Sequence, residues 1–233
     1  MRVAFFGDSL TEGAPGCSFF AVLRRELPGH ELLNHGRGND TVVSLYHRVR
    51  RLRPAAPFDL AFLWVGVNDV SGPEGVAFPF WLVNLSAGQR RARTLDEFRA
   101  YYSALLGLLG GMASRVIAVA PALKGEDLRS ALSSEVEAIA RVIEAAAARR
   151  ERIEYLDLRP AIARDLEGQP TSSYLPGSAF GVALDLVILR TDEQVDMRAA
   201  ERGLYLTLDG IHLNSRGARL VAARFREVVE RSV

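Results

Sequence analysis

The sequence holds a single cysteine, Cys17, among 233 residues, so no internal disulfide can form. Its four histidines make no metal-ligand spacing with that cysteine, and neither a metal nor another cofactor is expected. No apolar run is long enough to cross a bilayer, so no membrane span is expected. A dominant charge is missing as well. The 29 basic and 28 acidic residues leave a formal charge of +1, which gives no electrostatic reason to expect nucleic acid or an anionic membrane as partner. The arginines are scattered, and the densest group, "HRVRRLR" at 47–53, falls at helical spacing and reads as a solvated helix face. There is no internal repeat, and no stretch rich in proline, glycine or serine divides the chain. One domain over 1–233 is therefore expected, and the length and 48% hydrophobic content suit a full core. Met1 stands almost inside the first apolar run with no signal peptide before it, so the expected location is cytoplasmic, although a secreted form carrying an added methionine would look the same.

What is present is an alternation. Short apolar runs predict strands at 2–6 "RVAFF", 30–34 "HELLN", 59–66 "DLAFLWVG", 115–120 "RVIAVA" and 153–157 "IEYLD". Helical periodicity predicts helices near 17–27, 41–52, 95–109, 134–150 and 215–231. In the fourth, Val136, Ile139, Ala140 and Ile143 share one face. Strands alternating with helices imply a parallel sheet covered on both faces, with ligands bound beyond the carboxyl ends of the strands. Loops after Phe6, Asn34, Gly66 and Ala120 should then line one rim. Two stretches interrupt the rhythm, at about 70–93 and 168–203. Connections this long in a compact domain are usually lids or binding loops.

Polar motifs fall at the predicted rim. "GDS" follows the first strand and places Ser9 where a strand hands over to a helix, as either a helix cap or a nucleophile. "NHGRGNDT" follows the second strand, with glycines that let backbone N–H groups face a ligand. "GVND" follows the third and sets Asn68 there, whose amide can donate to developing negative charge. Near the other end, "DGIHLNSRG" spaces Asp209 and His212 three residues apart, close to one helical turn, so both side chains can point the same way. A histidine acting as a base needs such a carboxylate to fix its tautomer. Taken locally, an aspartate cap beside a surface histidine explains the pair equally well.

These blocks together resemble the SGNH (GDSL-type) hydrolases, and the similarity spans nearly the whole chain: "GDSLTEG" at 7–13, "GVND" at 66–69 and "DGIHLNSRG" at 209–217. The resemblance implies a three-layer α/β/α sandwich with a flavodoxin-like, mostly parallel five-stranded sheet. It implies Ser9 as nucleophile, His212 as general base and later acid, and Asp209 as the orienting carboxylate. It also implies an oxyanion hole made by the Ser9 N–H, a second-block N–H and the Asn68 amide. In the second block the family commonly has glycine directly before an acidic residue and threonine. Here Asn39 stands before Asp40 and Thr41, with Gly38 one place earlier; Gly38 is the preferred donor and Asn39 the alternative. Asp8 is expected to hold the loop by bonding nearby backbone, without a catalytic role.

The implied activity is hydrolysis of a small carboxylic ester, short-chain acyl or acetyl, through an acyl-enzyme on Ser9. Phe78 and Trp81, in the first long stretch, are candidates for a substrate wall, or they anchor that loop to the core. Cys17 reads as buried packing and His35 as a polar rim residue. Two rival readings remain. A non-catalytic carbohydrate- or lipid-binding module on the same fold would leave the catalytic residue types without a use. Phosphoryl chemistry would need the lysine and spacing of a P-loop, which "GDSLTEG" lacks.

Overall fold

The structure, a computed structural model, describes residues 1–70, 90–176 and 179–232. Five strands alternate with helices along it: β1 (Arg2–Gly7), β2 (Glu31–Gly36), β3 (Phe58–Trp64), β4 (Ala113–Val119) and β5 (Ile153–Leu156). They form a parallel sheet in the order β2-β1-β3-β4-β5. The helices are α1 (Ser9–Glu12), α2 (Phe19–Glu26), α3 (Val42–Val49), α4 (Leu95–Gly110), α5 (Ala131–Ala147), α6 (Arg159–Leu166), α7 (Ala179–Ile188), α8 (Asp192–Glu201) and α9 (Ser215–Glu230). The expected α/β fold with a flavodoxin-like parallel sheet is what the chain adopts.

Both sheet faces are buried because the central strands are apolar on both sides of the pleat. Val3, Phe5, Leu60, Phe62, Ile117 and Val119 face one core, closed by Leu10, Phe19, Leu23, Val221, Phe225 and Val229 from α1, α2 and α9. Ala4, Phe6, Ala61, Leu63, Val116 and Ala118 face the other, closed by Val42 and Leu45 of α3, Phe98 and Leu105 of α4, and Ile139 and Ile143 of α5. Phe225 on the last helix is fully buried and touches Phe5, Phe19, Phe62 and Trp64, at centroid distances of 4.8 to 6.0 Å. Burying one such ring stabilises by roughly 1.5–3 kcal/mol. That packing clamps the C-terminal helix to the N-terminal strand, so the loop entering α9 arrives where β1 ends.

Helix ends differ from the periodicity where capping or proline decides. The helix expected from 134 begins at Ala131, because Ser130 Oγ accepts the Ser133 N–H at 3.2 Å. The helix expected to reach 52 leaves α geometry after Val49. Leu52 N bonds Val49 O at 2.9 Å in a tightened turn, and Pro54 disfavours helical backbone at Arg53. The stretch at 168–203 carries α7 and α8. Most of the stretch at about 70–93 lies outside the described residues.

Chain order creates a switch point. From β1 the chain goes to β2 on one side, then returns to β3 on the other, so the loops leaving β1 and β3 diverge and leave a crevice between them. Ser9 follows β1, and Asn68 lies in a single 3-10 turn, Val67–Asp69, after β3.

Candidate active site

Asp8 caps α1: its Oδ1 accepts the Leu10 N–H at 3.0 Å. Ser9 is therefore not the cap, and its hydroxyl is turned to the other end of the chain. Ser9 Oγ lies 2.9 Å from His212 Nε2. His212 Nδ1 lies 2.7 Å from Asp209 Oδ2. Asp209 Oδ1 accepts two further bonds, from the N–H groups of His212 at 2.8 Å and Ile211 at 3.0 Å. All three side chains are buried.

The Asp209–His212 stretch is not helical. It is a tight loop closed by an isolated bridge between Thr207 and Leu213 and by the Leu208 N–H on His212 O at 2.7 Å. Gly210 makes the turn at φ 85°, a left-handed conformation that favours glycine. The N-terminal side reaches this loop through Gly16 and Cys17. The Cys17 N–H bonds Leu213 O at 2.7 Å, and a Cβ at Gly16 would stand 2.5 Å from the same carbonyl oxygen. Cys17 itself is buried, and burial together with Asp192 pushes its thiol pKa up.

Burial pulls the His212 imidazolium toward lower pKa, but the charge and hydrogen bond of Asp209 outweigh it and hold the group above its ordinary 6.5. Burial pushes Asp209 the other way, and the charge of His212 with the bonds it receives keeps its pKa below 3.8. The pair thus sets an anionic carboxylate against an imidazole, and a histidine so placed can take a proton from a hydroxyl 2.9 Å away.

The second and third blocks meet beside them. Asn68 Nδ2 donates to Asp40 O at 3.0 Å. Asp69 ties the same turn to the start of α3 by accepting the Val42 N–H at 2.9 Å, and burial pushes its pKa up to about 7. Asn39 has φ 61°, the one left-handed residue other than glycine among the described residues. A Cβ on Gly38 would meet Glu12 Oε2 at 2.9 Å. Asn34 Nδ2 donates to Thr11 O at 2.7 Å and joins the second block to α1.

Sequence reasoning missed three supports. Arg48, assigned to a solvated face, instead donates to the buried Asp40 at 2.6 and 2.9 Å and to Gly7 O at 3.2 Å, fixing the second block to the end of β1. The solvated-face reading fails for this residue because its side chain reaches back over the N-terminus of α3. Glu126, after β4, accepts bonds from the loop that precedes Asp209. Arg202 pairs with Asp185 at 2.7 Å and donates to Leu208 O at 3.0 Å. No local motif marks these residues: Gly7 lies 41 positions from Arg48, Asp185 17 from Arg202, and the Leu206 N–H 80 from Glu126. His35 is not a rim group: its ring stacks on Phe6 at 4.7 Å. Phe78 and Trp81 lie outside the described residues. Among the described residues no helix is long and apolar enough to cross a membrane, and no group of three or more His, Cys, Asp or Glu is placed to hold a metal ion.

Sheet order and the helices on both faces define an α/β fold of the kind found in SGNH hydrolases. The family model of GDSL-like lipases and acylhydrolases matches residues 5–220, so the chain belongs to that family of carboxylic ester hydrolases. Among solved structures, it resembles the acetyl xylan esterase AlAXEase at 23% identity and TM-score 0.67, over 98% of this chain and 100% of that one. A member of the lipolytic G-D-S-L family from Veillonella parvula aligns at 17% identity and TM-score 0.64, over 99% of each chain. An acetylxylan esterase from Geobacillus stearothermophilus aligns at 17% identity and TM-score 0.65, over 97% of this chain and 92% of that one. Likeness at these identities speaks for the fold. No curated protein sequence matches the chain.

Proposed function

We propose that the protein hydrolyses small acetyl or short-chain acyl esters through a covalent acyl-enzyme on Ser9. The observation that carries this is the unbroken relay from Ser9 Oγ through His212 to Asp209, made by groups 203 residues apart in the chain. His212 takes the Ser9 proton as Oγ attacks the ester carbonyl, returns it to the leaving alkoxide, and then activates water to cleave the acyl-enzyme. Charge on the tetrahedral oxygen is met by the Ser9 N–H, a second-block N–H and the Asn68 amide. The amide has two N–H bonds and spends one on Asp40 O. Gly38 is the expected second-block donor. The left-handed turn at Asn39 is the kind of local geometry that directs successive N–H groups to one side. The acetyl preference draws on neighbours named as acetyl xylan esterases. A cytoplasmic setting belongs to the same proposal.

The test is labelling with a serine-directed organophosphonate followed by peptide mapping, run beside a chain-length series of nitrophenyl esters and acetylated sugars. Modification at Ser9 and fastest turnover on acetyl or short acyl groups are expected. Ser9→Ala should lose the acylation burst, and Asn68→Ala should turn over roughly 10²–10³ times more slowly. Full esterase activity in Ser9→Ala would end the assignment.

A further inference from the structure

The loop carrying Asp209 and His212 rests on a buried anion that takes no part in the relay. Glu126 lies in the segment leaving β4 and is 3% exposed. Its Oε1 accepts the N–H groups of Leu206 and Thr207, both at 2.8 Å, and the Thr207 hydroxyl at 2.7 Å. Its Oε2 accepts the Tyr205 N–H at 2.8 Å. Three consecutive backbone donors and a hydroxyl thus converge on one carboxylate. The Thr207 hydroxyl passes the constraint on, because its oxygen accepts the Gly210 N–H at 3.0 Å. The neighbouring Gly125 N–H bonds Gly210 O at 2.7 Å, so the Gly210 carbonyl is held directly from the segment after β4 and its N–H indirectly, through the Thr207 hydroxyl on Glu126. The turn has no slack in the other direction either: a Cβ at Gly210 would stand 2.8 Å from both Leu175 Cδ2 and Tyr174 O.

We propose that Glu126 is a positioning residue for the hydrolytic centre, holding the 205–210 backbone so that the Asp209–His212 pair meets Ser9. The proposal rests on the roles given above to Ser9, His212 and Asp209. Glu126 touches none of the three, so it acts through the loop. A carboxylate suits the task because all four partners are donors. Glutamine keeps the shape, but it has only one acceptor oxygen and would turn an NH₂ toward an N–H. The register of the loop would then loosen, and misplacement of about 1 Å costs a catalytic centre on the order of 10²-fold.

Four variants of the full chain test this: Glu126→Gln, Thr207→Val, Thr207→Ser and Val136→Ala. The last is a truncation in α5 that lowers stability in the core on the opposite sheet face from Leu206 and Leu208. The readouts are melting temperature, kcat and KM separately, the acid limb of kcat/KM against pH, and the rate of organophosphonate labelling at Ser9. In Glu126→Gln, kcat and labelling should fall tenfold to a hundredfold with little change in KM. The acid limb should move to lower pH as Asp209 loses its hold on His212. Thr207→Val should move the same way, and Thr207→Ser should stay near the parent. Val136→Ala should melt earlier with the labelling rate and acid limb unmoved.

Parental labelling and an unshifted limb in folded Glu126→Gln would overturn the proposal, and so would a Val136→Ala that reproduces its effects. Should Glu126→Gln not fold, the threonine pair decides, and equal behaviour of Thr207→Val and Thr207→Ser overturns the proposal. Absence of labelling at Ser9 in the parent would instead overturn the hydrolase mechanism beneath it.

Discussion

Replacing Asp8 by asparagine should stabilise the protein, and more so as pH rises. Asp8 is buried at the cap of the helix that carries Ser9, and burial pushes its pKa from 3.8 up to about 7. The Leu10 N–H and the charge of His212 oppose that rise, and the nearby Asp40 and Asp69 add to it. A carboxyl whose folded pKa is raised binds its proton more tightly in the folded state. The stability penalty is therefore absent below 3.8, grows as pH rises through the window to about 7, and is complete above it. At about 1.4 kcal/mol for each factor of ten in proton affinity, the full penalty is about 4 kcal/mol, and at pH 5 it is about 2 kcal/mol. Asparagine removes the charge and keeps an oxygen for the Leu10 N–H. Urea denaturation of parent and Asp8→Asn at pH 5 and pH 8 should show the gain in stability roughly doubling between the two. Asp8 also helps hold the pKa of His212 up, so the acid limb of activity should shift to lower pH in the same variant. A gain that stays flat with pH, or a variant less stable than the parent at pH 8, would refute the reasoning.

Four other outcomes are expected. kcat/KM should fall on the acid side with an apparent pKa above 6.5, because protonated His212 cannot accept the Ser9 proton; pH–rate profiles of parent and Asp209→Asn should show that limb dropping in the variant, where burial acts without the carboxylate, with kcat lowered about 10⁴-fold. The same raised pKa gives the His212–Asp209 pair a stability contribution that is full below 6.5 and lost as pH rises through the folded value, so His212→Gln should cost more stability at pH 6 than at pH 9 in parallel urea titrations. Arg48→Ala leaves Asp40 buried without its ion partner and should destabilise by about 2–4 kcal/mol in urea, while Asn39→Ala, which removes the short polar side chain that makes left-handed backbone tolerable for a residue with a Cβ, should cost about 1 kcal/mol and Asn39→Gly almost nothing.

Much of the molecule was legible in local pattern. The central strands showed because their residues are apolar on both faces of the pleat, as Ala4 and Phe6 on one side and Val3 and Phe5 on the other illustrate, and the edge strands as short, partly apolar runs. Helix α9 showed because its apolar residues recur at helical spacing. The helices at 159–166 and 179–201 were not resolved by pattern. α6 starts without a side-chain cap, and the run into α7 mixes glycine and proline signals with apolar residues. The blocks holding Ser9 and Asn68 were readable because polar residues follow apolar strand runs there, and the block holding Asp209 and His212 because the two stand three residues apart just before a helical pattern.

The linear order of residues, by itself, determined the α/β class, the rim on which polar groups collect, and the types of group available there. Only the tertiary structure decided that Ser9 and His212 share a hydrogen bond, that Arg48 faces Asp40 rather than solvent, and that Glu126 gathers three backbone donors. Periodicity and capping act over a few residues and leave their mark in the sequence. A contact between positions 80 or 200 residues apart depends on how whole elements pack, here on Phe225 locking the last helix against the first strand, and no short stretch of the chain encodes it.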